Sequence, residues 1–140
     1  MASDPKYLFV YGTLRRGSRS LGDWRKKFGA AFVGHGTIGA ELYHIGRYPG
    51  ALPSNRSKTR GEVYSLGRPQ AALKALDEYE GYDVNEKEES LFVRHPAKVW
   101  LETGKTIRAW VYFFNGKTSK SQKISSWEYR RGPDKKPKAA

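Results

Sequence analysis

The residues best suited to chemistry are a glycine-containing segment near the start of the chain and one glutamate in its middle. Tyr11-Gly12-Thr13-Leu14 directly follows the apolar residues 7–10, which are predicted to form a buried strand that ends at the glycine. Backbone N–H groups in the turn after the strand have no evident ladder partner, and such groups bind a side chain, water or a ligand. The segment is therefore a candidate cradle for an anion or a carboxylate. Taken alone, an ordinary β-turn is the simpler interpretation.

Glu80 occupies an unusual position for a carboxylate. Pro69 in a first helical turn and Gly81 as a C-terminal cap predict a helix over residues 69–80. At about 100° per residue, Glu80 falls on the apolar face of this helix. The apolar residues of that face are Ala72, Leu73, Ala75, Leu76 and Tyr79.

Two effects predict a raised pKa for Glu80. Partial burial disfavours the charged carboxylate, and the exposed carbonyl groups at a helix C-terminus repel it. A pKa near neutrality suits a general base. Two alternatives stay open: the side chain turns outward at a frayed helix end, or it pairs with an arginine such as Arg94.

Other chemical signatures are weak or absent. The three histidines lack the spacing of metal ligands, and there is no Gly-x-Ser-x-Gly motif. Residues 104–106 and 116–118 mimic the end of a phosphate-binding loop but lack its earlier glycine. The chain has no cysteine, which excludes disulfides, thiol nucleophiles and cysteine-ligated zinc. We therefore expect no metal and no cofactor.

The composition indicates one soluble domain with a strong positive charge. The chain has 140 residues and a net charge of +12. Basic residues cluster at 15–27 and in the tail 130–140, and we expect this tail to be a disordered arm. The charge raises an alternative function, a basic nucleic-acid-binding module, although weak nonspecific attraction to polyanions explains it more simply. Without an apolar leader or an apolar run of membrane-spanning length, the protein is expected to be cytoplasmic, with no membrane partner.

The elements that must position these residues form an α+β fold. The pattern predicts a first strand over residues 7–10, one helical turn near 23–28, strand segments broken by glycines over 32–45, and a turn-rich connection over 46–53. A strand over 61–66, the helix and a polar, acidic loop over 83–90 follow, and then a hairpin with its turn at 102–105. Five or six strands and one main helix predict a small, mixed and strongly bent or barrel-like sheet, in a domain over residues 5–129.

Several short motifs occur in a recognisable order between about residues 7 and 128. These are Tyr11-Gly12-Thr13-Leu14, Tyr48-Pro49-Gly50-Ala51, Gly61-Glu62-Val63-Tyr64, Leu76-Asp77-Glu78-Tyr79-Glu80-Gly81, Arg94, Ala109-Trp110-Val111-Tyr112 and Trp127. Together they resemble the γ-glutamylcyclotransferase-like family, especially the branch of γ-glutamylamine cyclotransferase and the plant AIG2-like proteins. Many members of this branch have no assigned activity.

The resemblance implies a small barrel and an intramolecular transamidation. The α-amine of a small γ-glutamyl substrate attacks its own γ-carbonyl, which forms 5-oxoproline and expels an amine or amino acid without a cofactor. Carried over by position, Glu80 is the acid/base and the segment from Tyr11 to Leu14 binds the substrate. Tyr112 and Arg94 are candidate pocket residues, and a non-catalytic γ-glutamyl-binding relative is a third alternative.

The sequence also departs from the family pattern. Phe92 stands where many members carry a tyrosine two positions before the arginine, the asparagine that many members carry shortly after the glycine segment is missing, and the acidic loop is long. These differences concern the identity of the substrate more than the fold.

Overall fold

The computed structural model describes residues 4–11, 24–45, 48–83, 85–117 and 123–124. The predicted basic tail and the segment 12–23 lie outside these ranges. In chain order the elements are β1 (Tyr7–Val10), α1 (Trp24–Lys27), β2 (Ala30–Ile45), β3 (Tyr48–Leu66), α2 (Pro69–Glu80), a 3-10 helix (Lys87–Glu89), β4 (Phe92–Leu101), β5 (Thr106–Phe114) and β6 (Lys123–Ile124). None of the helices described is long and apolar enough to cross a membrane.

Five of the strands close into a barrel. Their order is β3-β1-β5-β4-β2, and pairing between β2 and β3 closes the ring, with β6 added to β2. β1 and β5 are parallel, whereas the other pairs are antiparallel. The α+β class with a small, mixed, barrel-like sheet is therefore confirmed.

Both faces of the central strands are buried, which explains their continuous apolar sequence. Successive side chains of a strand point to opposite faces. In β1, Phe9 packs inside the barrel, while Leu8 and Val10 pack outside it with residues of the helices. In β5, Val111 points inward and Tyr112 points outward in the same way. A strand covered on both faces shows an apolar run rather than alternation.

Glycines in β2 mark irregular pairing, as the sequence predicts. The register against β3 shifts between Phe32 and Gly34 and again between Gly39 and Ala40. Such shifts are β-bulges, which bend a strand and help a sheet to close. The prediction of strand segments broken by glycines at bulges is thus confirmed.

The predicted turn-rich connection over residues 46–53 is wrong from Tyr48 onward, where β3 begins. Pro49 and Pro53 both pair with residues of β2. On its other side β3 pairs with β1 only at residues 62–65. The first half of β3 is therefore an edge within the described sheet, and an edge tolerates the missing N–H of proline.

Helix α2 begins and ends as predicted. Pro69 lies in its first turn, and Gly81 follows it with φ 70°, a left-handed conformation that favours glycine. The N–H groups of Gly81 and Tyr82 donate to carbonyl oxygens of the last turn. Leu76 is fully buried in the outer core. The helix is thus fixed against the outside of the barrel with Glu80 at its final position.

Candidate active site

Glu80 lies half-buried at the C-terminal end of α2. No hydrogen bond or ion pair joins its carboxyl group to another residue in the described ranges. Burial raises the pKa of Glu80 from 4.5 to about 7. The carboxyl group is therefore able both to accept and to release a proton near neutral pH.

Beside Glu80, three side chains form a cluster that we call the Asp77 cluster: Asp77, Arg94 and Tyr112. The Tyr112 hydroxyl donates a hydrogen bond to Oδ1 of Asp77 at 2.6 Å. Arg94 donates from Nε to the same oxygen at 2.8 Å and from Nη2 to Oδ2 at 3.1 Å. This two-point pairing fixes the plane of the carboxylate.

The hairpin of β4 and β5 positions this cluster. Arg94 of β4 lies directly opposite Tyr112 of β5. The Arg94 guanidinium also lies 4.3 Å from the ring centroid of Trp110, on the same outer face. Asp77 lies one turn before the end of α2, and its side chain contacts both residues of this cross-strand pair. The cluster therefore ties the C-terminal half of α2 to the barrel.

Electrostatics link Tyr112 to Glu80. The Tyr112 side chain is 4% exposed. Burial, the hydrogen bond to Asp77 and the Asp77 charge raise the pKa of Tyr112, and the charge of Glu80 raises it further. The hydroxyl group thus stays protonated at physiological pH, and it is close enough to Glu80 to be influenced by its charge.

Tyr11 is anchored inside the barrel. Its hydroxyl donates to the carbonyl oxygen of Tyr112 at 2.6 Å and accepts the N–H of Ala51 at 3.1 Å. It therefore connects β1, β3 and β5 at one point. Gly12, Thr13 and Leu14 lie outside the described residues, so the binding role predicted for this segment stays a prediction.

A second buried acid lies next to β1. Glu62 is 8% exposed and pairs with Val10 in the register of β3 and β1. Its Oε1 accepts the Tyr64 hydroxyl at 2.9 Å, and its Oε2 is 3.9 Å from Nε2 of His35. The sequence analysis included Glu62 only as part of a motif. Its burial, on the strand beside the end of β1, makes it a second acid to test.

A cavity of about 590 Å³ adjoins the Asp77 cluster. Leu73, Asp77, Arg94 and Trp110 are among its lining residues, whereas Glu80 is not. Within the described ranges, no group of three or more acidic or histidine side chains is arranged to hold a metal ion.

The sequence predictions and the structure differ most at Arg94. The suggested ion pair between Arg94 and Glu80 is wrong, because Arg94 pairs with Asp77. Asp77 was not recognised as a candidate from the sequence. The sequence did hold a signal for the pair of Arg94 and Tyr112. Counting back from the hairpin turn at 102–105 places these two residues approximately opposite each other.

Comparisons with known proteins agree with this architecture. The family model described as gamma-glutamyl cyclotransferase, AIG2-like, matches residues 8–131. A curated relative from Niallia circulans, gamma-L-glutamyl-butirosin B gamma-glutamyl cyclotransferase, is 32% identical over 125 residues, which cover 89% of this chain and 76% of the relative.

Solved structures share the fold. An AIG2-like protein from Mus musculus superposes with a TM-score of 0.63 and 23% identity, covering 86% of this chain and 83% of that one. An uncharacterized protein from Pyrococcus horikoshii gives a TM-score of 0.58 and 23% identity, covering 93% and 97%. Because the family model spans most of the sequence, the chain belongs to the AIG2-like gamma-glutamyl cyclotransferase family.

Proposed function

We propose that this protein converts a γ-glutamyl amine or γ-glutamyl amino acid into 5-oxoproline and a free amine, with Glu80 as the general acid/base. Family membership supports a γ-glutamyl cyclotransferase-like activity. The observation that carries the more specific proposal is the half-buried Glu80 carboxyl group with a pKa of about 7. A carboxyl group with the usual pKa is a weaker base at neutral pH.

The reaction needs proton transfer and orientation rather than a separate nucleophile. The α-nitrogen forms a bond to the γ-carbonyl carbon, and the bond from that carbon to the leaving nitrogen breaks. Two protons leave the α-ammonium, and the leaving amine gains two as it departs as an ammonium ion. Because these transfers balance, one carboxyl group can take protons from the first nitrogen and return them to the second.

The segment from Tyr11 to Leu14 is proposed to hold the substrate. Backbone N–H groups at a strand end are suited to bind the α-carboxylate or the oxyanion that develops on the γ-carbonyl. The anchoring of Tyr11 to the backbone of Tyr112 supports this role, because the segment starts beside β5, the strand that carries Tyr112, whose pKa is affected by the charge of Glu80. Holding the substrate folded lowers the barrier further.

The identity of the leaving amine defines the substrate. A panel of γ-glutamyl compounds is the best way to identify this amine. The Niallia circulans relative is named for gamma-L-glutamyl-butirosin B, so a bulky amide belongs in the panel. The other members are γ-glutamyl amino acids, γ-glutamyl-ε-lysine and simple γ-glutamyl amides. Formation of 5-oxoproline is measured for each.

Glu80→Gln tests the assigned base on the best substrate of the panel. We expect kcat to fall by at least about 100-fold, the lower end of the usual contribution of a general base. Glu78→Gln is the matched control, because Glu78 is exposed two residues earlier on the same helix. It is expected to keep full activity.

Three results would contradict parts of the proposal. Full activity in Glu80→Gln, together with loss in Glu62→Gln, would transfer the role of base to Glu62. Saturable binding of γ-glutamyl compounds without 5-oxoproline would indicate a binding protein rather than an enzyme. If no panel member binds or reacts, the proposed activity is wrong.

A further inference from the structure

The Asp77 cluster determines which kind of hydrogen bond the Tyr112 hydroxyl can make. A tyrosine hydroxyl has one proton to donate and lone pairs that accept. Here the proton is directed to Oδ1 of Asp77 at 2.6 Å. Any further partner of this oxygen must therefore donate a hydrogen bond to it.

The cluster also prevents the reverse hydrogen bond, in which the Tyr112 hydroxyl would accept a proton from Asp77. Both oxygens of Asp77 already accept hydrogen bonds from Arg94, at 2.8 and 3.1 Å, and the guanidinium lies against Trp110. Arginine has only donors, so the carboxylate stays an acceptor and keeps the tyrosine proton. Burial of Tyr112 excludes bulk water as a competing partner.

We propose that Asp77 and Arg94 are positioning residues that make the Tyr112 hydroxyl a hydrogen-bond acceptor for the α-amine of the substrate, next to Glu80. This inference rests on the proposed cyclotransferase function. An acceptor can bind one N–H of the amine and leave its lone pair free to attack the γ-carbonyl. A hydroxyl that donated its proton to the same nitrogen would occupy the lone pair that the reaction needs.

The test compares Tyr112→Phe, Asp77→Asn and the double variant in the 5-oxoproline assay. Tyr112→Phe removes the acceptor, so kcat/KM is expected to fall about 10- to 100-fold, as for a lost hydrogen bond to a charged group. In Asp77→Asn the new amide can donate to Tyr112, which turns the hydroxyl proton toward the substrate. The proposal therefore predicts a lower kcat in Asp77→Asn than in Tyr112→Phe.

The double variant separates this role from a structural one. If Asp77 acts through the Tyr112 proton, removing the hydroxyl from Asp77→Asn restores kcat to the level of Tyr112→Phe. If the cluster only fastens α2 to the sheet, the double variant is as slow as Asp77→Asn or slower. That second result would overturn the proposal.

A binding measurement covers the case in which Asp77→Asn does not fold. A glutaryl amide, which lacks the α-amine, is compared with its γ-glutamyl counterpart as a ligand of Glu80→Gln, in which turnover is slow. The γ-glutamyl compound should bind more tightly, and adding Tyr112→Phe should remove most of that difference. An unchanged difference contradicts the inference.

The outcomes also distinguish this inference from the proposed function. An active wild type that loses activity in Glu80→Gln, with normal kcat and KM in Tyr112→Phe, rejects the inference alone. A wild type without activity on the whole panel rejects both.

Discussion

At the scale of single residues, burial of one carboxyl group is the central feature. Glu80 has no ion-pair partner in the described part of the chain that would hold it charged. Asp77, only one turn earlier, is paired with Arg94. Two acids on one helix therefore have different environments, which supports the proposed division between a proton-transfer group and a positioning group.

The raised pKa of Glu80 predicts a pH-dependent cost in stability. Between pH 4.5 and about 7 the folded protein binds more protons at this site than the unfolded chain. The free energy of unfolding therefore falls as the pH rises through this range, by up to about 3 kcal/mol. Glu80→Gln removes this cost, so its stability relative to wild type should increase from pH 4.5 to pH 8.

Urea denaturation of both proteins at several pH values measures this effect. Glu78→Gln is the control, and its stability difference from wild type should stay within about 0.5 kcal/mol across the range. A difference that is equally constant for Glu80→Gln would mean that Glu80 is not desolvated in the folded protein. If Glu80→Gln instead gains stability as predicted while its kcat falls, stability and function oppose each other at this residue.

At the scale of elements, the end of α2 controls where Glu80 lies. Gly81 has a φ of 70°, and a Cβ at this position would lie 3.3 Å from Cβ of Leu91. The left-handed conformation and this close contact both disfavour an alanine. The glycine thus stops the helix directly after the candidate base.

Gly81→Ala is expected to lower the free energy of unfolding by about 1–2 kcal/mol, because L residues other than asparagine and aspartate avoid this backbone region. Gly81→Asn should cost less, since asparagine tolerates it. Urea denaturation at constant pH measures both variants. Equal costs for alanine and asparagine would indicate that contact with Leu91, rather than backbone strain, dominates.

At the scale of the whole molecule, the barrel brings basic residues together on one outer face. The ammonium groups of Lys58 and Lys98 lie 3.4 and 5.2 Å from the ring centroid of Trp100, which is 37% exposed. Lys98 and Trp100 both lie on β4, whereas Lys58 lies on β3, and β2 lies between these two strands in the sheet. Lys98 and Trp100 share a strand face in the sequence pattern, but only the tertiary structure adds Lys58 to them.

This face and the net charge of +12 predict weak, nonspecific binding of polyanions. The affinity for a labelled single-stranded oligonucleotide should fall by orders of magnitude between about 50 mM and about 200 mM salt, because bound counterions are released. Fluorescence anisotropy with wild type, Lys58→Gln/Lys98→Gln and a chain without residues 130–140 measures the contribution of the face and of the tail. An affinity that is insensitive to salt would contradict this prediction, and binding that is lost merely on deleting residues 130–140 would assign the attraction to the tail.

Much of the architecture follows from local patterns in the sequence. The helix over residues 69–80, its glycine cap and the hairpin around 102–105 depend on neighbouring residues, so they were predicted correctly. The position of Glu80 on an apolar helix face is also a local property. The start of β3 was missed because proline is tolerated there only at the edge of the sheet, which is a property of strand order.

The sequence alone determined α2, the hairpin, the family resemblance and the choice of Glu80 as a candidate, because periodicity and turn chemistry act over a few residues. The tertiary structure decided the partners. Asp77 meets Arg94 and Tyr112 across 17 and 35 residues, and Tyr11 meets Tyr112 across 101. These contacts exist because the barrel closes and α2 packs against its outer face, and no local pattern specifies that geometry.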